Sequence, residues 1–330
     1  MKILEVSRYK SNFSDHQLPF VTEQGESLRA QGCDVEYFLV RGNYLRAVKA
    51  LKQKIRACQP DIVHAHFGLS AITAELQSLV PVVTTFHNGE TLNWHVNLLT
   101  SLFSLRAKHV VYVAQHIYDL VYFKAKKYSI IPCGVNMDDC QVIDQQQARQ
   151  QLGFEDGVKY ILFGGGFDNL RKNYALLRDA VAAIEGKEWT PVEGGERCGN
   201  IVCLEMKGLN RAECVLRMNA CDLFALPSHS EGSPQALKEA MACNCPILAT
   251  DIADVRTVLG DLPGHYVLRN PRKTHERWDA DEKSLDEMTE LLQEALRFTG
   301  RTNGRDRILE MGLSNEQVAE RLIAIYQSLV

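Results

Sequence analysis

Glu231 and Glu239 stand eight positions apart in the stretch SHSEGSPQALKEAMACNCPI (228–247), and Gly232, Ser233 and Pro234 follow the first of them directly. Ser233 suits an N-cap and Pro234 the first position of a helix. The corner then lies at a helix N-terminus, where free backbone N–H groups and the positive end of the dipole favour an anion. Glu239 falls about 7.5 Å further along the axis, at ~1.5 Å per residue. It cannot attract a phosphate, but it can accept hydrogen bonds from sugar hydroxyls. A phosphate flanked by two polyols would use the whole stretch. Glu231 would hold one sugar, the backbone from Gly232 through Gln235 the phosphate, and Glu239 the second sugar. Leu237, Ala240 and Met241 form the apolar face of this helix, with Gln235, Lys238 and Glu239 off it. Taken alone, the same residues also describe a well-capped helix with two solvated acids.

Other residues offer chemistry upstream. Arg171 and Lys172 follow an apolar run and a Gly-rich turn, where fixed cations could stabilise a departing diphosphate. On their own they equally fit surface charges at a helix start. The turn itself, FGGGFDN, supplies Gly164, Gly165 and Gly166 but has Asn169 where a dinucleotide fingerprint needs its third glycine, and no acid pairs with it. It is read as a turn whose backbone passes close to phosphate. His64 and His66 alternate along a strand and suggest a metal pair, yet no carboxylate lies nearby at ligand spacing, so no metal is expected. His87 and Asn88 end another apolar run.

Positioning these residues takes alternating strands and helices. KILEVS, DVEYFLV, DIVHAH, PVVTTFH, HVVYVA and YSIIP read as strands, with helices over 18–30 and 44–58 between them. The pattern then restarts. KYILFGGG, NIVCLEM, DLFALPS and PILATD read as strands, with helices over about 173–184, 211–220 and the stretch after Ser233. Strands separated by helices pair in parallel, because only a crossover returns the chain to the same sheet edge. The expectation is an α/β protein of two doubly wound domains: 1–140, 141–312, and a C-terminal helix over 313–330 packing back on the first. In that helix Ser314 and Gln317 have the spacing of a capping box. Residues 185–200 read as an exposed polar loop. Ligands of such sheets bind beyond the carboxyl ends of the strands, and a cleft between the domains is the expected site.

At 330 residues two cores are the natural expectation. No apolar run reaches the roughly 18 residues of a membrane span, and the N-terminus lacks the apolar core and small-residue cleavage site of a signal peptide. The ten cysteines are scattered without a C-x-x-C pair, which fits reduced, buried thiols in a cytoplasmic protein. Residues 1–135 carry 15 Lys and Arg against 10 Asp and Glu, and the remainder 22 against 31, so the first part is net +5 and the rest −9. The basic part includes RAVKALKQKIRA and KAKK. These suit either a solvated helix face or contact with an anionic membrane surface or phosphate-bearing acceptor. Nothing suggests nucleic acid as a partner.

The stretch SEGSPQALKEAMACNCPILATD resembles the E-x7-E signature of the retaining glycosyltransferases of family 4. DIVHAHFG and PVVTTFH resemble strand ends of their N-terminal domain, IIPCGVN their interdomain connector, RKNYALLRDAV their phosphate-binding segment, and NEQVAERLIAIYQSL their C-terminal helix. The resemblance implies two Rossmann-like domains facing across a cleft (the GT-B arrangement), with an NDP-sugar donor held mainly by the C-terminal one. It implies contact of Glu231 with the donor sugar, of Glu239 with ribose, and of Gly232, Ser233 and Pro234 with sugar and diphosphate. Lys172, preceded by Arg171, matches the lysine that neutralises the diphosphate. Lys207 and Gly208, in EMKGLNRAE, match the segment that passes the base. His87 matches a histidine that orients acceptor or donor sugar. His66 and Asn88 are expected on the acceptor side. The first strand–helix loop, SRYKSNFSDHQ, lacks the glycine pair common in relatives, and Ser11, Ser14 and His16 are expected to meet phosphate or acceptor instead.

These readings imply a metal-independent retaining hexosyltransferase without a resident cofactor. It would act in the cytoplasm, or peripherally on the inner membrane face. It would transfer sugar to a glycan or polyprenyl-diphosphate-linked acceptor in surface polysaccharide or glycolipid biosynthesis. An NDP-sugar epimerase of the same architecture and a non-catalytic sugar-nucleotide-binding protein are the alternatives.

Overall fold

A computed structural model describes residues 1–10, 18–88, 91, 93–270 and 282–330. The chain divides into two compact units, Met1–Gly134 with Gly312–Val330, and Val135–Met311.

The first unit holds β1 (Lys2–Arg8), α1 (Pro19–Ala30), β2 (Asp34–Val40), α2 (Tyr44–Cys58), β3 (Ile62–His66), α3 (Gly68–Glu75), β4 (Val82–Phe86), α4 (Trp94–Ser104), β5 (His109–Tyr112), α5 (Gln115–Leu120) and β6 (Tyr128–Ile130). Its six strands run in the order β2-β1-β3-β4-β5-β6, every described pairing parallel. Helices cover both faces, so the central strands IVHAH and VVTTF are buried at every position. Asn43 caps α2 by accepting from the backbone N–H groups of Leu45 and Arg46.

In the second unit come α6 (Gln145–Leu152), β7 (Lys159–Phe163), α7 (Tyr174–Glu185), β8 (Trp189–Val192), β9 (Gly195–Cys198), β10 (Ile201–Glu205), α8 (Arg211–Ala220), β11 (Leu223–Leu226), α9 (Gln235–Ala242), β12 (Ile247–Thr250), α10 (Val255–Leu259), β13 (His265–Leu268), α11 (Glu282–Arg297) and α12 (Gly304–Glu310). The sheet order is β13-β12-β11-β7-β10-β9-β8. Residues 185–200, expected as a loop, instead form the β8–β9 hairpin, antiparallel on the edge next to β10. A two-residue turn at Glu193-Gly194, with Gly194 at φ +70°, closes it. Polar, Gly-rich composition hid this strand pair because one hairpin face is solvated.

The last helix, α13 (Asn315–Gln327), belongs to the first unit. Val318, Ala319, Leu322 and Tyr326 pack with Ile3, Leu28, Ile62, Val83 and Val111 in one core. Ser314 and Gln317 form the capping box reciprocally. All ten cysteines are free thiols, eight of them buried. No helix among the described residues is long and apolar enough to cross a membrane.

Candidate active site

In the second unit the chain leaves β7 for β10 on one side and later returns to β11 on the other, which makes the β7/β11 boundary the sheet's switch point. Crevices beyond the carboxyl ends of strands at such a point are the ligand sites of open α/β sheets. Gly164–Gly166 follow β7, and the segment from Ser228 to Glu231 follows β11. Gly164 N donates to Ala225 O at 2.9 Å and holds the two strand ends together.

A 3₁₀ turn, Leu170–Lys172, starts on Asn169, whose side chain accepts from Arg171 N. It aims two cations at one carboxylate: Lys172 Nζ is 2.8 Å from Glu231 Oε1, and Arg171 Nη1 is 3.0 Å from Glu231 Oε2. Arg171 Nη1 also donates to Ser230 O at 2.5 Å, and His229 N donates to Arg171 O at 2.9 Å. Burial works against ionisation of Glu231, but Lys172 and Arg171 outweigh it and hold the carboxyl below its ordinary range. The glycine turn makes room for this: a Cβ on Gly165 would stand 2.9 Å from Lys172 Cγ. Lys207 crosses Gly166 in the same way and pairs with Asp168 at 2.7 Å, both side chains being exposed. Gly208 adopts φ +81°, a glycine conformation.

The corner itself differs from expectation. Pro234, not Ser233, occupies the N-cap of α9, and no side chain caps the helix. Ser233 Oγ instead lies 2.6 Å from Asp254 Oδ2, tying the corner to the start of α10. Gln235 opens the helix, half-buried. Lys238 and Glu239, expected off the packed face, are buried as well, because α9 is enclosed on more than one side. Glu239 pairs with Arg211 of α8, Nη1 to Oε1 at 2.9 Å. Burial raises the Glu239 carboxyl above its ordinary range, and Arg211 and Lys238 oppose the rise. Arg171, Lys172 and Glu231 are thus brought together, whereas Glu239 and Lys207 each have a different partner. The sequence reading missed Arg211, Asp168, Asp254 and the buried His229. Arg211 could have been found as the first helical residue after Asn210, which caps α8 in a box with Glu213.

The first unit carries its own polar cluster. Parallel register places Glu5 of β1 beside His64 of β3. This corrects the reading that no carboxylate accompanies the histidine pair, since the acid comes from the neighbouring strand. Glu5 Oε2 is 2.7 Å from His66 Nε2, and Glu5 Oε1 is 3.7 Å from His64 Nδ1. Glu5, His64 and His66 are of metal-ligand type and lie close enough to share an ion. Gln24 Nε2 sits among them, 3.3 Å from Glu5 Oε1, 3.3 Å from His64 Nδ1 and 3.4 Å from His66 Nε2. His64 also meets Tyr326 Oη at 2.6 Å and Thr85 Oγ1 at 2.7 Å. Burial drives the His64 pKa down to about 3. Burial disfavours ionised Glu5, but the two histidines outweigh it and lower its pKa.

His66 is fully buried and faces His87, with Nδ1 and Nε2 3.1 Å apart. His87 packs against Phe20 and Phe67, with ring centroids 4.6 and 4.7 Å away, and its Nδ1 is 3.8 Å from Cys133 Sγ. Phe67 and Asn88 hold φ of 67° and 122°, rare for residues with side chains and typical of strained functional loops. Asn88 O accepts from Thr91 Oγ1 at 3.0 Å. A pocket of about 230 Å³ opens beyond β1 and β3 among Arg8, Lys10, Tyr44, Phe67 and Ser70. Ser11, Ser14 and His16 lie outside the described residues.

Two Rossmann-like units, with His66 and His87 at strand ends in the first and Lys172, Arg171 and Glu231 beyond β7 and β11 in the second, are the pattern of the GT-B class. The chain matches the family models Glycosyltransferase Family 4 over residues 29–139 and Glycosyl transferases group 1 over 205–277. Both halves of the chain thus match glycosyltransferase models, and the fold is that of the GT-B glycosyltransferases. It is 27% identical, over 64% of its length and 58% of the relative's, to TuaC of Bacillus subtilis (strain 168), which carries a provisional assignment as a teichuronic acid biosynthesis glycosyltransferase. A D-inositol 3-phosphate glycosyltransferase of Segniliparus rotundus is 25% identical over 62% of this chain and 47% of that protein. The chain therefore spans about half the length of these two curated relatives. Among solved structures, Anabaena HepE in complex with UDP-glucose superposes with a TM-score of 0.74 at 15% identity over the whole of both chains.

Proposed function

We propose that the protein is a retaining glycosyltransferase that moves a sugar from an NDP-sugar to a hydroxyl of a glycan or polyprenyl-diphosphate-linked acceptor, in surface polysaccharide or glycolipid biosynthesis. One observation carries this reading: Lys172 and Arg171 converge on Glu231 at the switch point of the second sheet. A nucleoside diphosphate leaving group needs fixed cations where its charge develops, and these two residues supply them. Glu231 then turns to the hydroxyls of the transferred sugar, and Glu239, held by Arg211, accepts from ribose. The glycines at 165, 166, 208 and 232 let the donor approach the backbone.

Retention without a carboxylate nucleophile assigned to the back face of the sugar is consistent with front-face departure. The bond from the anomeric carbon to the diphosphate oxygen breaks, the acceptor oxygen bonds to the same face, and the leaving diphosphate takes the acceptor proton. No metal is assigned a part in this scheme. His87 is read as a donor to a sugar hydroxyl, with His66 and Glu5 behind it. The basic pocket at Arg8 and Lys10 suits a phosphate-bearing acceptor. HepE was solved with UDP-glucose, which makes UDP-sugars the first donors to test.

The test is a panel of UDP-, GDP- and ADP-sugars offered without acceptor. Thermal shift by a nucleotide and slow release of free sugar from its NDP-sugar would support the reading, since ligands of the folded state raise stability by mass action. Interconversion of one NDP-sugar into another would identify an epimerase. Binding without turnover even when acceptor glycolipids are added would identify a binding protein.

A further inference from the structure

Helix α4, sequence WHVNLLTSLFS, is built with its polar side inward and contains no charged Asp, Glu, Lys or Arg. Asn97, Thr100, Ser101 and Ser104 are 3% exposed or less, while Trp94, Leu98, Leu99, Leu102 and the following Leu105 leave between 42% and 58% of their surface open. The inward side has a clear physical reason. Thr100 Oγ1 donates to Val96 O at 2.8 Å, Ser101 Oγ to Asn97 O at 2.6 Å, and Ser104 Oγ to Ser101 O at 2.8 Å, so these hydroxyls are satisfied within the helix. These small side chains also admit close packing: a Cβ on Gly68 of α3 would stand 2.4 Å from Thr100 Cβ. Among the described residues the outward leucines keep close to half of their surface open.

The apolar face does not stop at α4. Asn97 Nδ2 donates to Leu120 O at 2.9 Å, joining α4 to the end of α5. From there Leu120, Tyr122, Phe123 and Tyr128 are exposed by 54%, 55%, 38% and 42%. Cations are interleaved with them. Arg106 and Lys108 follow α4, and Lys124, Lys126 and Lys127 follow Leu120, all exposed. Between Trp94 and Tyr128 the sequence holds these five basic residues and one acid, Asp119, while Arg106 and Lys108 also lie near the buried Glu75 from outside this stretch. An apolar patch rimmed by one sign of charge marks an interaction surface. Two copies meeting here would bring like charges together. An anionic lipid surface answers both features, since leucines and an aromatic rim enter the acyl boundary while lysines reach the headgroups.

We propose that α4 and the segment 120–128 seat the protein on an anionic membrane, with Trp94 and the leucines inserted. Of the two basic stretches the sequence offers for such a contact, KAKK falls within this segment and RAVKALKQKIRA lies on α2. In that helix Lys54 is engaged by Glu36, and Ala47, Leu51 and Ile55 are turned into the core. The proposal stands apart from the donor reading, because vesicle binding needs no nucleotide.

The test is flotation of the full chain with phosphatidylcholine vesicles, with and without phosphatidylglycerol. Binding is expected only to the anionic vesicles. It should weaken by at least about tenfold in Lys126→Glu/Lys127→Glu and be lost in Leu98→Gln/Leu102→Gln, with thermal unfolding of both variants unchanged. Brominated lipid should quench emission in the wild type and not in Trp94→Phe. A chain that stays unbound at low salt, or variants that bind like the wild type, would overturn the proposal. So would a concentration-dependent dimer abolished by the leucine changes without any vesicle binding, which would assign the face to a second copy.

Discussion

Lys172 Nζ and Glu231 Oε1 lie 2.8 Å apart, and Arg171 holds the other oxygen of the same carboxylate at 3.0 Å. The two cations read as diphosphate ligands are thus already paired with the acid read as the sugar ligand, which offsets one of their two charges. On the proposed reading a donor exchanges one set of partners for another: diphosphate takes the cations, and Glu231 takes the sugar. Glu231→Gln removes the internal competitor. Free nucleoside diphosphate should then bind as tightly as in wild type or more tightly, while turnover falls by ~10² or more, the scale of a lost transition-state contact. Calorimetric titration with the nucleotide checks it, and a marked loss of affinity would refute the exchange.

Lys172→Ala should cut turnover by about 10²-fold, because the charge developing on the leaving diphosphate loses its nearest fixed cation. Lys172 is largely covered, with 15% of its side chain exposed, and among the described residues its amine pairs with Glu231. The fold should therefore survive, as circular dichroism would show. A folded variant with wild-type turnover would end the assignment.

Glu239→Ala and Arg211→Ala address ribose. Loss of Glu239 should weaken both free nucleotide and intact donor by ~1.5–3 kcal/mol, the worth of hydrogen bonds to a charged group. Arg211→Ala should act in the same direction and more weakly, since the buried carboxylate then loses the cation that keeps it ionised. Its defect should grow as the pH is lowered, and nucleotide affinity measured across pH decides this.

Chelation bears on the Glu5, His64 and His66 cluster. Dialysis against EDTA should leave both turnover and thermal unfolding unchanged, because Gln24 and Tyr326 already bond within the cluster. A fall in melting temperature restored by Zn²⁺ would make the cluster a metal centre. Loss of turnover restored by Mg²⁺ or Mn²⁺ would place a metal on the donor instead.

Glu75 supplies a pH test of stability. Burial pushes its pKa up to about 8, with Thr84, Arg106 and Lys108 opposing. Between the ordinary carboxyl value of 4.5 and about 8 the folded chain binds the extra proton, so this group's stabilising contribution, full below 4.5, is lost as pH rises through 8. Glu75→Gln should raise the melting temperature at pH 8.5, with the gain vanishing toward pH 5. An unchanged difference across that range would refute the buried, protonated Glu75.

Local features of the fold were legible because they depend on neighbours in sequence. The 44–58 and 211–220 helices have the bounds read from the sequence, and Ser314 with Gln317 forms its box. Apolar runs of five residues identified the buried parallel strands, since a strand covered on both faces needs no alternation. The convergence of Arg171 and Lys172 on Glu231 was half legible: the residues were found, their mutual pairing was not.

By itself the sequence determined two α/β halves, most of their parallel strands, several helices, and the residues proposed for a nucleotide-sugar site, because periodicity, caps and turn chemistry act over a few residues. Tertiary structure alone decided which distant groups meet. Glu5 reaches His64 only through the parallel register of β1 and β3, and Glu239 reaches Arg211 only because α8 and α9 pack side by side. It also decided that α4 turns its leucines outward, since Gly68 and Thr100 allow close approach only on the polar side. Register and packing join residues tens to hundreds of positions apart, and the local hydrophobic pattern narrows these pairings without naming the partners.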